Sequence, residues 1–264
     1  MELFQKKSAL EREWQKALKQ EKKFLEKRFE KKESLLNQKL EAKVPKKVEE
    51  TLNAAFNKAF ALVFEKGTGI IEKTYRKETI EQNHKIQQYA AQVSQSRKSI
   101  RVIEKNAGRS GIKNLAVSGV MGIGMGVMGI GLPDIPVFTG MILKSIYEIA
   151  LRYGYPYDAI EEQFYILLLI QGAVSHGTSI QAINNRINHY MKTEKLMESE
   201  SVKSEMKVTA DLLSKELLYI KFLQGVPVVG AIGGAYDAIY MKKITEYAEL
   251  KYRQRYLYNQ QNHS

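Results

Sequence analysis

The sequence predicts an all-α protein: a single multi-helix bundle with a long charged N-terminal helical arm and two glycine-rich core helices. Three observations carry this. Apolar residues recur at helical spacing through most of the chain, and no period-2 alternation is long enough for a strand. Only 5 of 264 residues are proline, while Ala, Leu, Glu, Lys and Gln are plentiful, so helices form at low cost. Two glycine clusters, around 119–131 and 225–234, carry no charge and sit inside apolar runs.

Residues 3–43 read as one highly charged helix. Leu10, Trp14, Leu18, Leu25, Phe29 and Leu36 recur at spacings of 4, 4, 7, 4 and 7, a narrow stripe. Such a stripe suits a coiled-coil arm, a helix laid across a partner, or an arm docked on its own core. Pro45 falls in the first turn of the next helix, where a missing N–H costs nothing. There, apolar positions 48, 52, 55, 56, 59, 60 and 63 make a wide face, and Gly67 ends it.

A third helix is expected from 69 to about 106. Its second half carries Arg97, Arg101, Lys105, Arg109 and Lys113 at every fourth position, with Lys98 beside them. Glu104 is the one acid between residues 85 and 113. This stripe reads either as a solvated charged face or as a contact for anionic lipid.

Asp134 caps the following helix, with Pro136 in its first turn and Gly154 at its end. Lys144 and Glu148 make an i,i+4 pair on its outer side. Residues 157–173 start at a cap, Asp158, and are apolar almost all round, which predicts a central core helix too short to span a bilayer alone. Residues 178–222 form two helices meeting near Ser199–Ser204. Residues 226–258 hold the second glycine cluster and a tyrosine-rich basic helix. The expected organisation is an arm over 1–43, a helical domain over 44–258 and a disordered tail over 259–264.

The net charge of +12 is uneven. Residues 1–50 hold 15 basic and 10 acidic side chains, and residues 51–111 hold 11 and 5. That excess favours anionic partners. The glutamates interspersed in the arm argue against a surface that tracks nucleic acid, and no reader motif is present. With no cysteine there are no disulfides, thiolate nucleophiles or thiolate metal sites. The mixed charge at the start argues against a cleaved secretory signal. The absent cysteines suit a reducing, cytoplasmic setting, and the basic excess suits peripheral contact with an anionic membrane surface.

The run "GVMGIGMGVMGIGLPDIP" at 119–136 has three readings. Gly124, Gly126 and Gly129 fit G-x-G-x-x-G, but that motif must follow a strand and open a helix, and here it lies inside an apolar helical run with no βαβ context. As a packing seam, Gly119, Gly122, Gly126 and Gly129 lie within roughly 80° on a helical wheel. Gly230, Gly234 and Ala238, spaced by four, repeat the device, so the two helices are expected to pack backbone to backbone. As a lipid segment, Leu115 to Pro133 is nineteen residues without charge, which suits a hairpin inserted reversibly with the 135–151 helix. The seam and the lipid segment can coexist.

Enzyme chemistry finds little support. No H-E-x-x-H or G-x-S-x-G occurs. Ser175 and His176 are adjacent, so on a helix they point to different faces, and His176 is expected at a helix end beside Gly177. Asp134 and Asp237 each follow a glycine cluster. They form either a shared polar site that binds a cation or holds a proton, or a cap and a polar edge. No catalytic residue, metal or cofactor is predicted.

The ordered landmarks resemble the EcsC protein family. They are Trp14 in the leading helix, "KVPKKVEETLNAAFNKA" at 43–59, "GLPDIPVFTGMILKSIYEIALRYGYPYD" at 131–158, "LLLIQGAVSHGT" at 167–178, and "GVPVVGAIGGAYDAIYMKKITEYAELKYRQRYL" at 225–257. The resemblance covers roughly 10 to 258, and Asp237 stands where family members often carry Asn. It implies an all-helical fold, a bacterial source, and a cytoplasmic or membrane-associated protein encoded beside the two components of an ABC transporter. It supplies no catalytic residues. The expected function is that of a non-enzymatic accessory or regulator of a membrane transport or secretion system, with membrane transport proteins as partners and anionic lipid touched through its basic N-terminal half. The alternative is a soluble interaction module whose N-terminal helix docks a partner, and a hydrolase-type enzyme is the third reading.

Overall fold

The computed structural model describes residues 8–29, 45–66, 69–94, 96–107, 134–195, 201–224 and 233–262. They form α1 (Ala9–Phe29), α2 (Lys46–Lys66), the single turn α3 (Gly69–Glu72), α4 (Lys77–Ser94), α5 (Arg97–Ala107), α6 (Asp134–Arg152), α7 (Ile160–Val174), α8 (Gly177–Thr193), α9 (Val202–Gln224) and α10 (Gly233–Asn262). No strand occurs among the described residues, so the fold is all-α, as the helical periodicity predicts.

Two buried helices organise the bundle. α7 is buried from Phe164 to Val174 because it is apolar on every side, and α8, α9 and α10 pack around it. α6 is buried over most of its length and lies among α2, α4, α5 and α10. α2 packs on both α6 and α9, and α10 reaches both buried helices. The core is rich in tyrosine: Tyr147, Tyr157, Tyr165, Tyr247 and Tyr252 are fully buried, and Tyr147 stacks on Tyr157 at 4.1 Å. A tyrosine core couples large apolar area to hydroxyls that need partners.

One glycine is required where α7 meets α10. A β-carbon on Gly172 would lie 2.5 Å from Tyr247 Cε1, so only the bare backbone lets that ring in. A second sets the end of α6. Gly154 has φ +85°, in the left-handed region, and a β-carbon there would overlap the His84 ring.

Several expected details differ. The helix expected over 69–106 is divided into α3, α4 and α5. Thr74 Oγ1 donates to Ile71 O at 2.6 Å and closes α3, and Ser96 Oγ accepts the Ser99 N–H at 3.2 Å and opens α5. Lys144 and Glu148 are not on an outer side, because helices cover α6 all round. Lys144 is buried and donates to Thr74 O at 3.2 Å, while Glu148 accepts Arg152 Nη2 at 3.3 Å. The cap of α7 is Ala159, with no side-chain bond, and Asp158 instead accepts Lys77 Nζ at 3.1 Å. The tail expected from 259 is helical to Asn262, where Asn259 Nδ2 donates to Tyr155 Oη at 3.2 Å. The glycines of the expected central seam, Gly119, Gly122, Gly126 and Gly129, lie outside the described residues, as does Gly230. Gly234 and Ala238 lie in α10.

Candidate functional site

α1 docks on α10 by a charged face. Glu13, Ala17, Glu21 and Arg28 are buried. The apolar stripe read from the sequence flanks that line: Leu10, Trp14, Leu18 and Leu25 are half-buried, and Phe29 is exposed. The buried line has the same 4, 4 and 7 spacing, shifted by three residues. The inversion follows from what α10 presents. Lys251, Arg253, Gln254 and Arg255 are all buried, and a buried cation needs a carboxylate beside it.

Each carboxylate is a hub. Glu21 takes the Lys251 ammonium and accepts Gln254 Nε2 at 2.9 Å, Asn184 Nδ2 at 2.9 Å and Asn188 Nδ2 at 3.1 Å. Burial alone would raise the Glu21 carboxyl, but the Lys251 charge and these bonds outweigh it and hold it at about 2. Burial pulls Lys251 down to about 8 despite Glu21. Glu162 on α7 accepts Arg255 Nη1 at 2.6 Å and Tyr252 Oη at 2.5 Å. The Arg255 guanidinium lies over Tyr155, Tyr165 and Tyr190, at 4.0, 5.1 and 5.4 Å from the ring centroids. Glu205 on α9 accepts Gln171 Nε2 and Arg186 Nη2, both at 2.6 Å.

Glu13 is a different kind of hub, because three guanidiniums converge on it. Its Oε1 accepts Arg97 Nε at 2.9 Å and Arg101 Nε at 3.0 Å, and its Oε2 accepts Arg253 Nη2 at 2.9 Å. Burial pushes the Glu13 carboxyl up. The Arg97 hydrogen bond and the Arg101, Arg253 and Arg97 charges overcome that and hold it below the ordinary carboxylate range. The first two members of the expected cationic stripe are thus anchored from behind by α1. Their side chains remain 40% and 46% exposed, while that of Glu13 is fully covered. Lys98 is exposed and Lys105 lies in α5; Arg109 and Lys113 lie outside the described residues.

α4 shows a second surface feature. Its inner face buries His84 and Ala91. Its outer face carries Ile86, Tyr89 and Val93, 67%, 70% and 69% exposed, at positions i, i+3 and i+7. Val102 on α5 is exposed as well. Sequence reasoning missed these residues, although their helical spacing was visible.

His176 sits at a helix end, as N-cap of α8. It joins three helices: Arg28 Nη1 lies 3.0 Å from Nε2, and Glu216 Oε1 lies 3.2 Å from Nδ1. Guanidinium only donates, so Nε2 accepts and Nδ1–H donates to Glu216. Tyr240 Oη completes the group, 3.1 Å from Glu216 Oε2. Both imidazole nitrogens are therefore engaged, and the Ser175 hydroxyl makes no bond to either. This arrangement ties α1 to α8 and α9 and offers no nucleophile–base pair. Asp134 opens α6 and Asp237 lies in α10. Among the described residues no three metal-ligating side chains cluster, and no helix is long and apolar enough to cross a membrane.

No curated protein and no solved structure matches this chain. A family model does, over residues 9–257, from the start of α1 to near the end of α10. That match takes in the docked first helix and every charge hub described above, and by it the chain belongs to the EcsC protein family.

Proposed function

We propose that the protein is a non-enzymatic, peripheral membrane protein that binds anionic lipid through the α4–α5 face and serves a membrane transport or secretion system as an accessory or regulator. The observation that carries this reading is the outer face of α4. Three large apolar side chains in helical register stand in water, each about 70% exposed. Burying such area is favourable by about 25 cal/mol per Å². The neighbouring helix, α5, supplies Arg97, Lys98 and Arg101, and a basic helix beside an apolar stripe suits an interface of head groups and acyl chains. α5 leads toward the uncharged run at 115–133. The polar face of α1 is spent on α10, which favours lipid on α4–α5 over a partner docked along that face of α1.

Vesicle flotation tests this. The full chain is expected to float with phosphatidylcholine vesicles containing phosphatidylserine at low salt, and to be released as salt rises. Ile86→Ser/Tyr89→Ser/Val93→Ser is expected to lose most of the binding while keeping its thermal stability. Equal absence from anionic and neutral vesicles at low salt would sink the reading.

A further inference from the structure

The geometry points to a preformed site for a dianionic phosphate group at the outer edge of the Glu13 cluster, formed by Arg97 and Arg101. It deepens the lipid reading above and rests on it only for where the phosphate comes from.

Three features make the site. The first is charge. Three guanidiniums share one carboxylate, so the cluster carries an excess of two positive charges. A phosphomonoester carries about −1.5 to −2 at neutral pH and matches that excess. A phosphodiester carries only one negative charge.

The second is unspent hydrogen bonding. Arg97 uses Nε and Nη2 on Glu13, with Nη2 at 2.8 Å, and Arg101 uses Nε. Nη1 of Arg97 and both Nη groups of Arg101 have no acceptor among the described residues. These terminal N–H groups are the ones that pair with phosphate oxygens.

The third is order. Arg97 and Arg101 are one helical turn apart on α5, and both are pinned at their Nε edges by a carboxylate that solvent does not reach. An incoming anion meets the guanidinium ends and not Glu13. It also finds side chains already fixed, so it forgoes much of the ordering cost of catching flexible arginines. Lys98, exposed on the same helix, has no such anchor among the described residues.

The test uses the full chain. Affinity is measured for phosphatidylcholine vesicles doped with phosphatidic acid or with phosphatidylserine at matched surface charge, and for inorganic phosphate in solution. Wild type is expected to bind phosphatidic acid vesicles about tenfold more tightly than phosphatidylserine vesicles. Arg101→Gln is expected to abolish that preference, with Glu13 still held by Arg97 and Arg253. Arg101→Lys keeps the charge, loses the fork, and is expected to lose the preference too; it carries the test if Arg101→Gln fails to fold. Lys98→Gln is expected to weaken both vesicle types alike, by about twofold. Saturable binding of inorganic phosphate that Arg101→Gln removes, with no binding to any vesicle, supports the site, assigns it to a soluble phosphate compound and overturns the lipid reading. Equal binding of both anionic vesicles by wild type, or the same behaviour from Arg101→Gln and Lys98→Gln, overturns the site and leaves the lipid reading standing. No binding of phosphate or of either vesicle overturns both.

Discussion

Lys251 on α10 and Glu21 on α1 form a buried ion pair across 230 residues of sequence. The ammonium is fully covered and the carboxylate nearly so. Removing one partner leaves the other charged, or forces it to neutralise, in a place water does not reach. Glu21→Gln is therefore expected to lower the unfolding free energy by about 3 kcal/mol, read from urea denaturation. Adding Lys251→Met to that variant is expected to recover part of the loss, because no buried ammonium is then left without a counter-charge.

The same pair sets an acid limb. The Glu21 carboxyl is held at about 2 in the folded protein, against an ordinary value of 4.5. A depressed carboxyl contributes stability that is complete above the unfolded value and disappears as pH falls through the folded one. Between pH of about 4.5 and about 2, the protein is expected to lose about 3 kcal/mol through this group. Glu13 adds to the loss in the same direction. Denaturation midpoints measured across that window should fall steeply in wild type and distinctly less in Glu21→Gln.

Arg255 tests whether charge alone suffices in the core. Burial by itself lowers its proton affinity, but Glu162 more than compensates and the group stays charged. Three tyrosine rings surround the flat guanidinium, and one Nη reaches Glu162. Lysine keeps the charge but has neither the plane nor the second donor arm. Arg255→Lys is expected to cost about 2 kcal/mol in thermal or chemical unfolding. A loss under about half of that would show that the rings contribute only packing.

The division at residues 43 and 44 that composition suggests can be tested by truncation. α1 supplies the carboxylates for Lys251 and Arg253, and Arg28 reaches Ala173 O and His176. A chain starting at residue 44 is expected to lose its cooperative melting transition and its dispersed amide spectrum. Retention of both would mean that the helix is dispensable.

The long-range charges explain what could be read from the sequence. α7 was legible because nearly every residue from Phe164 to Val174 is apolar, and no solvent-facing side competes. The wide face of α2 was legible for the same reason, with Pro45 and Gly67 marking its ends. The docking face of α1 was not. Glu13, Glu21 and Arg28 are residue types of a solvated surface, and what buries them lies on helices distant in sequence. At Ser96 the break was hidden because the hydroxyl cap that opens α5 lies within a helix-compatible stretch. On α4, Ile86, Tyr89 and Val93 had the right spacing for a core face, but His84 and Ala91 took the inward side. Periodicity alone does not choose between two such faces.

The closure of α1 upon α10 has a meaning for the ribosome. At roughly 5–20 residues per second, the 230 residues between Glu21 and Lys251 take on the order of ten to fifty seconds to synthesise. For that interval the leading segment has emerged while its mate has yet to be translated. The nascent polypeptide stays unlatched until the codons of α10 are decoded, and through that wait Glu13, Glu21 and Arg28 face water as an ordinary charged helix would.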